Sequence, residues 1–364
     1  MPFGSCTLSD VTEKTRPSKA TLEDRTFTLL EWNDRREEFL FSPGMAEPLY
    51  RRNVVPRADG KLQAICSDIL PDVTRKARTN RPLTVSIVGA GNLGTALSVA
   101  LPSAGYNVSL LATRNVRRRG RELQAIARRL RARVVEVGRT PLETDLIWIT
   151  VPDDAIAATA RVLAASQDWK GKFVFHSSGA LTSDELAPLR RRGARVASVH
   201  PMMTFVRRSV PEFAGVAFAV EGQPAAVRAA KAMVQSLGGN AYVIRKQNKA
   251  LYHAFGSFAS PLVIALMASI ETVGRAAGVR RQDVRRFAAP LLRRTWTNYL
   301  QHDAASAFSG PLARGDVATV RKHLSVLKDL PEIHAVYRAL GRVALSTLPV
   351  KNRAAMERVL RTRP

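Results

Sequence analysis

Cysteine is almost missing from this sequence of 364 residues, which contains only two. Both, Cys6 and Cys66, precede the first strong structural signal, so they provide neither a disulfide framework nor the ligands of a zinc site. The N-terminus also lacks the basic start, apolar run and small residues of a secretory leader. We therefore predict a protein of the reducing cytoplasm with no bound metal.

Aromatic and acidic residues are also scarce. Aromatics make up 6% of the chain, and 30 Asp and Glu face 56 Lys and Arg, a formal net charge of +26. Such a field attracts phosphorylated cofactors, carboxylates, nucleic acid or acidic lipids, although general use of Arg in place of Lys would produce it equally well. Because no stripe interleaves aromatic with basic residues, we predict no binding of nucleic acid.

One apolar run, residues 250–270, is long enough to be weighed as a membrane span. It contains His253, three serines and Pro261, and it belongs to a helix predicted over 249–277. Both the polar residues and the flanking basic segments favour a buried core helix or a dimer helix. We therefore predict no membrane insertion.

Four segments of different character follow one another along the chain. Residues 1–80 have mixed charge and scattered prolines, which predicts a poorly ordered extension. From 81 to 245, β-branched runs alternate with helical spacing, the pattern of a doubly wound parallel sheet. Residues 246–350 have helical spacing throughout and predict an all-α substrate and dimerisation domain, followed by a basic tail at 351–364.

A glycine loop lies between the first predicted strand and the helix after it. Gly89 permits a tight turn, Gly91 lets the backbone approach a pyrophosphate, and Gly94 lets helix and strand pack closely. A glycine turn without a ligand is the alternative, but the strand–loop–helix context favours a dinucleotide site. The loop residues predicted to bind cofactor are Gly89, Gly91, Asn92, Leu93 and Gly94.

Cofactor choice depends on the end of the second predicted strand. No Asp or Glu lies between Asp72 and Glu122, so the carboxylate that binds the ribose of NAD is missing. Thr113, Arg114 and Asn115 stand there instead and can bind a 2′-phosphate. We therefore predict NADP, with NAD the weaker alternative, and we read residues 117–119, three further arginines, as a solvated helix face.

Three more predicted strands end in polar or turn residues at the same edge of the sheet. Ligands of open α/β sheets bind at the carboxyl ends of strands. We predict that the cofactor contacts Val151, Pro152, His176 and Ser177. We predict that the substrate contacts Ser178 and His200.

Several runs resemble one family. The runs are His176-Ser-Ser-Gly-Ala, His200-Pro-Met, Lys249-Ala-Leu-Tyr-His-Ala and Ser309-Gly-Pro-Leu-Ala-Arg-Gly-Asp. They resemble the predicted oxidoreductases that join a Rossmann-like domain to the helical "domain of unknown function 2520", and the likeness spans roughly residues 82–348. The resemblance implies kinship with ketopantoate reductases, pyrroline-5-carboxylate reductases and β-hydroxyacid dehydrogenases. It also implies a 6-phosphogluconate-dehydrogenase-like helical domain that forms a homodimer.

The same resemblance implies the catalytic residues. In ketopantoate reductases and β-hydroxyacid dehydrogenases the first helix after the Rossmann domain carries Lys, with Asn four residues later; here those positions are Lys249 and His253. Both fall on one helix face. Lys249 is predicted to stabilise and protonate the oxygen that receives negative charge, and His253 to orient substrate or relay a proton. The alternatives are a solvent-facing helix start for Lys249 and a packed histidine for His253.

Three further residues are predicted to bind the substrate. Ser257 continues the Lys249 face, Asn298 lies on the next helix, and Arg314 could clamp an anion beside Asp316, a predicted helix N-cap. We expect an NADP-dependent oxidoreductase that transfers a hydride between NADPH and a small anionic oxo acid or imino acid, with ketopantoate one candidate. The alternative is a dinucleotide-binding sensor without catalysis.

Overall fold

An eight-stranded sheet organises the first half of the computed structural model, which describes residues 81–116, 120–206 and 212–361. The strand order is β3-β2-β1-β4-β5-β6-β7-β8. The strands are β1 Thr84–Val88, β2 Asn107–Thr113, β3 Arg133–Glu136, β4 Leu146–Ile149, β5 Phe173–His176, β6 Arg195–Pro201, β7 Ala217–Gly222 and β8 Asn240–Val243. The first six strands have the order of a dinucleotide-binding Rossmann sheet.

The sheet is parallel except at one pair. β7 runs antiparallel to β6, with His200 opposite Ala219, and β8 is again parallel to β7. The predicted doubly wound parallel sheet is therefore confirmed for β1–β6 and must be corrected at β7. The side chains of β4 are all buried, which agrees with helices on both faces of the sheet.

Helices cover both faces of this sheet. They are α1 Asn92–Ser103, α2 Gly120–Leu130, α3 Asp153–Ala164, α4 Ala187–Arg191 and α5 Pro224–Ser236. One face forms a core in which Leu97 and Met233 pack, and the other forms a core around Ile156 and Trp169. The N-cap of α3 is Pro152, and Asp153 lies in the first turn of this helix.

The rest of the described chain is helical, as predicted. The helices are α6 Lys249–Ala259, α7 Pro261–Ala276, α8 Val284–Gln301, α9 Ala304–Ala307, α10 Pro311–Arg314, α11 Val317–Val326, α12 Pro331–Thr347 and α13 Arg353–Arg361. The single helix predicted over 249–277 is broken at Ser260, where φ is −133° and ψ is −81°. Pro261 explains the break, because a proline disfavours the α conformation of the residue before it.

α6, α7 and α8 contain almost no fully buried residues. Lys249 is the buried residue of α6, α7 has none, and Val284 is the buried residue of α8. The segment Lys246–Ala276 is long and apolar enough to cross a membrane by length and composition, with mean hydropathy 1.5. We predicted that residues 250–270 form either a buried core helix or a dimer helix. The first alternative is wrong for a single subunit, which leaves these helices largely uncovered.

The last helices form a small core of their own. Met356 and Leu360 of α13 pack with Val320 of α11 and Leu345 of α12. The predicted basic tail at 351–364 is therefore wrong as far as residue 361, because α13 turns an apolar face inward. The predicted extension at 1–80 and the arginines at 117–119 lie outside the described residues.

Candidate active site

The glycine loop has the shape that its spacing predicts. Gly89 has φ +102°, and its amide donates to Ala112 O of β2 at 2.9 Å. A Cβ on Gly94 would collide with the carbonyl oxygen of Gly89, so only glycine allows α1 to approach β1 this closely. A Cβ on Gly91 would meet nothing within 4 Å, so the backbone there faces open space. This is the cradle that a pyrophosphate needs.

Helix α1 begins at this loop and directs its first-turn amides toward it. Its N-cap is Gly91, which has no side chain to occupy those amides, and its first turn carries no acidic residue. Leu93 lies in that turn and packs against the core. Asn92 donates from Nδ2 to Phe205 O at 2.7 Å, which ties the start of α1 to the segment after β6. The residues of the loop therefore fit a bound dinucleotide phosphate.

The end of β2 presents the polar residues predicted to select the cofactor. Thr113 is half-buried, and both Arg114 and Asn115 are exposed. Glu136 of β3 lies opposite Thr113 in the register, a carboxylate that the sequence analysis did not weigh. Arg139 Nε lies 3.3 Å from Glu136 Oε1 in an exposed ion pair. The ends of β2 and β3 therefore bring two guanidinium groups, those of Arg114 and Arg139, and one carboxylate to this edge of the sheet.

The end of β4 joins the glycine loop to the neighbouring strand. Thr150 donates from Oγ1 to Gly89 O at 2.6 Å. A Cβ on Gly89 would lie 2.9 Å from Val151 Cγ1, so Val151 borders the glycine loop. Pro152 follows and caps α3.

Beyond Pro152, Asp153 Oδ2 accepts from Ser178 Oγ at 2.7 Å and so links β4 to the end of β5.

His176 does not reach the space in front of the sheet. Its side chain is fully buried, Nδ1 accepts from Ser178 N at 3.1 Å, and Nε2 lies 3.0 Å from Thr182 O. Both ring nitrogens are thus used by the segment that follows β5, which fixes a neutral ring with its proton on Nε2. Burial, followed by the nearby charge of Lys249, lowers the pKa of His176 to about 4. The predicted cofactor contact through this side chain must be corrected to a structural role.

Ser177 and Ser178 are likewise held by protein partners. Ser177 Oγ accepts from Trp148 Nε1 at 2.7 Å. Ser178 is buried, and its Oγ also accepts from the amides of Ala180 and Leu181 at 3.2 and 2.8 Å. The predicted substrate contact of Ser178 must be corrected, because its hydroxyl shapes the turn beneath the site.

Lys249 is buried at the start of α6 and only 1% exposed, so the reading of it as a solvent-facing helix start is wrong. Its Nζ donates to Ser178 O and to Ser198 Oγ, each at 2.6 Å. Burial lowers the pKa of Lys249 to about 8, against the opposing charges of Glu221 and Asp153. The ammonium therefore braces β6 against the turn after β5 rather than lining an open cleft of this subunit.

Glu221 belongs to the same buried network and was missed by the sequence analysis. It lies on β7 and is 3% exposed. Its carboxylate accepts from Ser183 N at 2.5 Å and from Ser183 Oγ at 2.9 Å. A buried carboxylate in this strand gives no local signal, because its partner Ser183 is 38 residues away in the chain.

Two histidines meet where β6 ends and α6 begins. The rings of His200 and His253 lie 6.1 Å apart between centroids and are nearly perpendicular. His200 is half-buried and His253 is exposed. A Cβ on Gly179 would lie 2.9 Å from His200 Nε2 and would collide with the His253 ring. Glycine at 179 thus admits both imidazoles to the same corner of the site.

The remaining predicted substrate residues lie on three helices, α6, α8 and α10. Ser257 Oγ donates to His253 O within α6 at 3.1 Å, so its hydroxyl is used by the helix. Asn298 is half-buried on α8, and Arg314 is exposed at the end of α10. Beside Arg314, Asp316 accepts from Thr319 N at 3.0 Å, which confirms it as the N-cap of α11.

Comparison with known proteins identifies both halves of the chain. Residues 69–201 match the Rossmann-like domain, and residues 216–344 match the domain of unknown function 2520. The chain therefore joins a Rossmann-like domain to the domain of unknown function 2520. This confirms the resemblance seen in the sequence, and the second match begins at β7 rather than at α6. No curated protein matches the chain.

Several solved structures share this architecture. Each aligns with this chain over nearly the whole of its own length. A candidate NADP oxidoreductase of Bacteroides fragilis has TM-score 0.60 and 18% identity, covering 72% of this chain and 97% of its own. A Thermotoga maritima protein has TM-score 0.58 and 19% identity, covering 75% and 98%. A reductive aminase of Aspergillus terreus, solved with NADPH and ethyl-5-oxohexanoate, has TM-score 0.54 and 16% identity, covering 77% and 100%. At these identities the likeness establishes the shared fold.

Proposed function

We propose that this protein is an NADPH-dependent reductase of a small oxo acid or imino acid. One observation carries the proposal: the glycine loop and the His200–His253 corner lie at the same carboxyl edge of one parallel sheet. β1 and β6 are separated by three inter-strand spacings, about 14 Å, across β4 and β5. An extended dinucleotide with its pyrophosphate on the loop would run along this edge toward the histidines.

The residues at the corner suit the reduction of a polar double bond. Bound NADPH supplies a hydride to the carbonyl or imine carbon, whose π electrons move onto oxygen or nitrogen, and a proton completes the product. We assign that proton to His253, because its ring is exposed and lies beside His200. Lys249 contributes positive charge from beneath the site and holds the turn at Ser178 in place.

Cofactor choice is proposed from the end of β2. Thr113 and Arg114 face a 2′-phosphate with a hydroxyl and a guanidinium, and Arg139 offsets the carboxylate of Glu136. The names of two structural neighbours, the NADP oxidoreductase of Bacteroides fragilis and the NADPH-bound reductive aminase of Aspergillus terreus, support the same choice.

An anionic substrate fits the basic balance of the chain. Positive charge attracts a carboxylate and holds it close to the reacting carbon. Ketopantoate is one candidate, and a small imino acid is the other. Asn298 and Arg314 would then contact the carboxylate from a second subunit.

We also propose a homodimer through α6, α7 and α8. Phe255, Phe287 and Leu291 are 61%, 78% and 73% exposed, so a large apolar surface is uncovered in one subunit. A surface of this kind on a soluble chain marks an interface. A second copy offers the same helices and would bury them against one another.

The alternative is that this apolar surface inserts into a membrane. Three observations oppose membrane insertion. The apolar segment is interrupted at Ser260, and its buried Lys249 is bonded to the sheet. α8 packs beside α7 through the Arg285–Glu271 pair at 2.6 Å, and α8 also carries Arg293 and Arg294. Insertion of this hairpin would place several arginines in hydrocarbon, which costs several kcal/mol each.

Light scattering and vesicle flotation distinguish a homodimer from a membrane-inserted protein. We expect twice the chain mass for the parent and no flotation with vesicles. Leu291→Glu should produce a monomer, whereas Val162→Glu, at an exposed valine of α3, should remain dimeric. A parent that is monomeric, or that floats with vesicles, contradicts the proposed dimer.

The enzymatic proposal is tested by NADPH oxidation over a panel of oxo and imino acids that includes ketopantoate. We expect one class to be turned over and His253→Ala to lose most of that activity, while His302→Ala, at an exposed histidine of the helical part, retains it. Tight NADPH binding with no turnover across the panel would instead favour the dinucleotide sensor.

A further inference from the structure

Tyr252 packs against His200, the half-buried histidine of the proposed site. It is on α6, three residues after Lys249, and its Oη lies 2.9 Å from His200 Nδ1. The two rings pack edge to face with centroids 5.5 Å apart. Tyr252 is half-buried, so this contact is shielded from bulk water. Nothing in the sequence analysis assigned a role to this tyrosine.

One contact relates the proton of Tyr252 to the tautomer of His200. A tyrosine hydroxyl carries a single proton. Tyr252 Oη lies 2.9 Å from His200 Nδ1 and 3.5 Å from His200 O, and it also bonds to the backbone of Ala219. The contact with Nδ1 has the better hydrogen-bond distance. When the hydroxyl donates in this contact, Nδ1 accepts, and a neutral imidazole then carries its proton on Nε2.

The Nε2 atom faces the corner of the site. It lies on the side of Gly179, where a Cβ would be only 2.9 Å away, and the ring of His253 borders the same space. An N–H bond is thus directed between the turn after β5 and the start of α6. A polar atom of the substrate at this corner would meet that donor.

Charged and titratable groups around the ring keep it neutral. Burial first, and then electrostatic coupling to Lys249, His253 and His176, lowers the pKa of His200 to about 4. The carboxylates of Glu221 and Asp153 lie on the Lys249 side and act on that ammonium. Burial also raises the pKa of Tyr252 to about 12, so the hydroxyl keeps the proton that it donates.

We propose that Tyr252 is a positioning residue that fixes His200 as the neutral Nε2–H tautomer, and that this N–H donates a hydrogen bond to the carbonyl oxygen or imine nitrogen of the substrate. The catalytic part rests on the proposed reductase function. A neutral imidazole would have to become an imidazolate to give up this proton. His200 therefore polarises the double bond, and the proton itself comes from another group, to which we assigned His253.

The tautomer is measured directly, without cofactor or substrate. The full chain, with ¹⁵N in the imidazoles of its six histidines, gives long-range ¹H–¹⁵N correlations in which His200→Gln identifies the His200 signals. Between about pH 6 and about pH 8 we expect Nδ1 at the shift of an acceptor and Nε2 at that of an N–H. Tyr252→Phe should mix the tautomers, and Tyr242→Phe, at an exposed tyrosine of β8, should not.

Turnover provides the second readout. Loss of the one hydrogen bond that orients His200 should lower kcat by about fivefold in Tyr252→Phe and leave the NADPH affinity unchanged. Tyr242→Phe should keep the parent kcat.

A parent His200 in the Nδ1–H tautomer, or a Tyr252→Phe spectrum identical to the parent's, overturns the inference. If Tyr252→Phe does not fold, the parent tautomer alone decides. An Nε2–H tautomer in a protein that reduces no oxo or imino acid contradicts the reductase instead.

Discussion

Acidification from about pH 7 to about pH 5 should destabilise this protein through His176. Burial lowers its pKa from 6.5 to about 4, so the native ring stays neutral in this window while the unfolded ring takes up a proton. Stability contributed by the neutral ring is therefore present above about pH 6.5 and is lost as the pH falls toward 4. Between about pH 7 and about pH 5 this one group should therefore lower the free energy of unfolding by about 2 kcal/mol.

Denaturant unfolding at both pH values, at one fixed protein concentration, measures this loss. Carboxylates also respond to pH, so the informative quantity is the difference between the parent and His176→Gln. The variant should lose about 2 kcal/mol less between the two pH values, and His302→Gln should behave as the parent does. An equal pH dependence in parent and His176→Gln would refute the neutral, buried ring.

The remaining predictions concern the cofactor loop and Lys249. Gly94→Ala should lower the unfolding free energy by about 1–3 kcal/mol, because its Cβ meets Gly89 O, whereas Gly91→Ala should fold normally and weaken NADPH binding. Arg114→Ala should reduce the preference for NADPH over NADH about tenfold in fluorescence titrations, and a parent without any preference would remove Arg114 from the site. The unfolding free energy should rise from about pH 8 to about pH 10.5, because Lys249 releases its proton at a lower pH in the native protein than in the unfolded chain. Lys249→Met should abolish that rise. A Lys249→Met variant that keeps the rise would contradict the burial of this amine.

Local patterns predicted the sheet and the glycine loop well. The spacing of Gly89, Gly91 and Gly94 requires a particular turn, and the structure shows the same close approach of α1 and the same open face. Strand ends were predictable for the same reason, since runs of β-branched residues stop at prolines, glycines or polar residues. The break before Pro261 was not predicted, although the sequence carries its signal, because the residue before a proline avoids the α conformation.

Burial of polar residues was not predictable from the same patterns. Lys249 bonds to Ser178 O, 71 residues earlier in the chain, and Glu221 bonds to Ser183. Such contacts depend on how strands and loops pack, and a lysine at a helix start looks solvated from its neighbours alone. Tyr252 did carry a signal, because it lies three residues after Lys249 and so on a neighbouring face of one helix.

Transfer of deuterium from C4-deuterated NADPH is the measurement closest to the central claim. The account predicts that the hydroxy or amino acid formed from ketopantoate, or from another small oxo or imino acid, carries the deuterium on the former double-bond carbon, and that His253→Ala forms little of it. NADPH that binds to the glycine loop but labels no product from any of these acids would contradict the reductase.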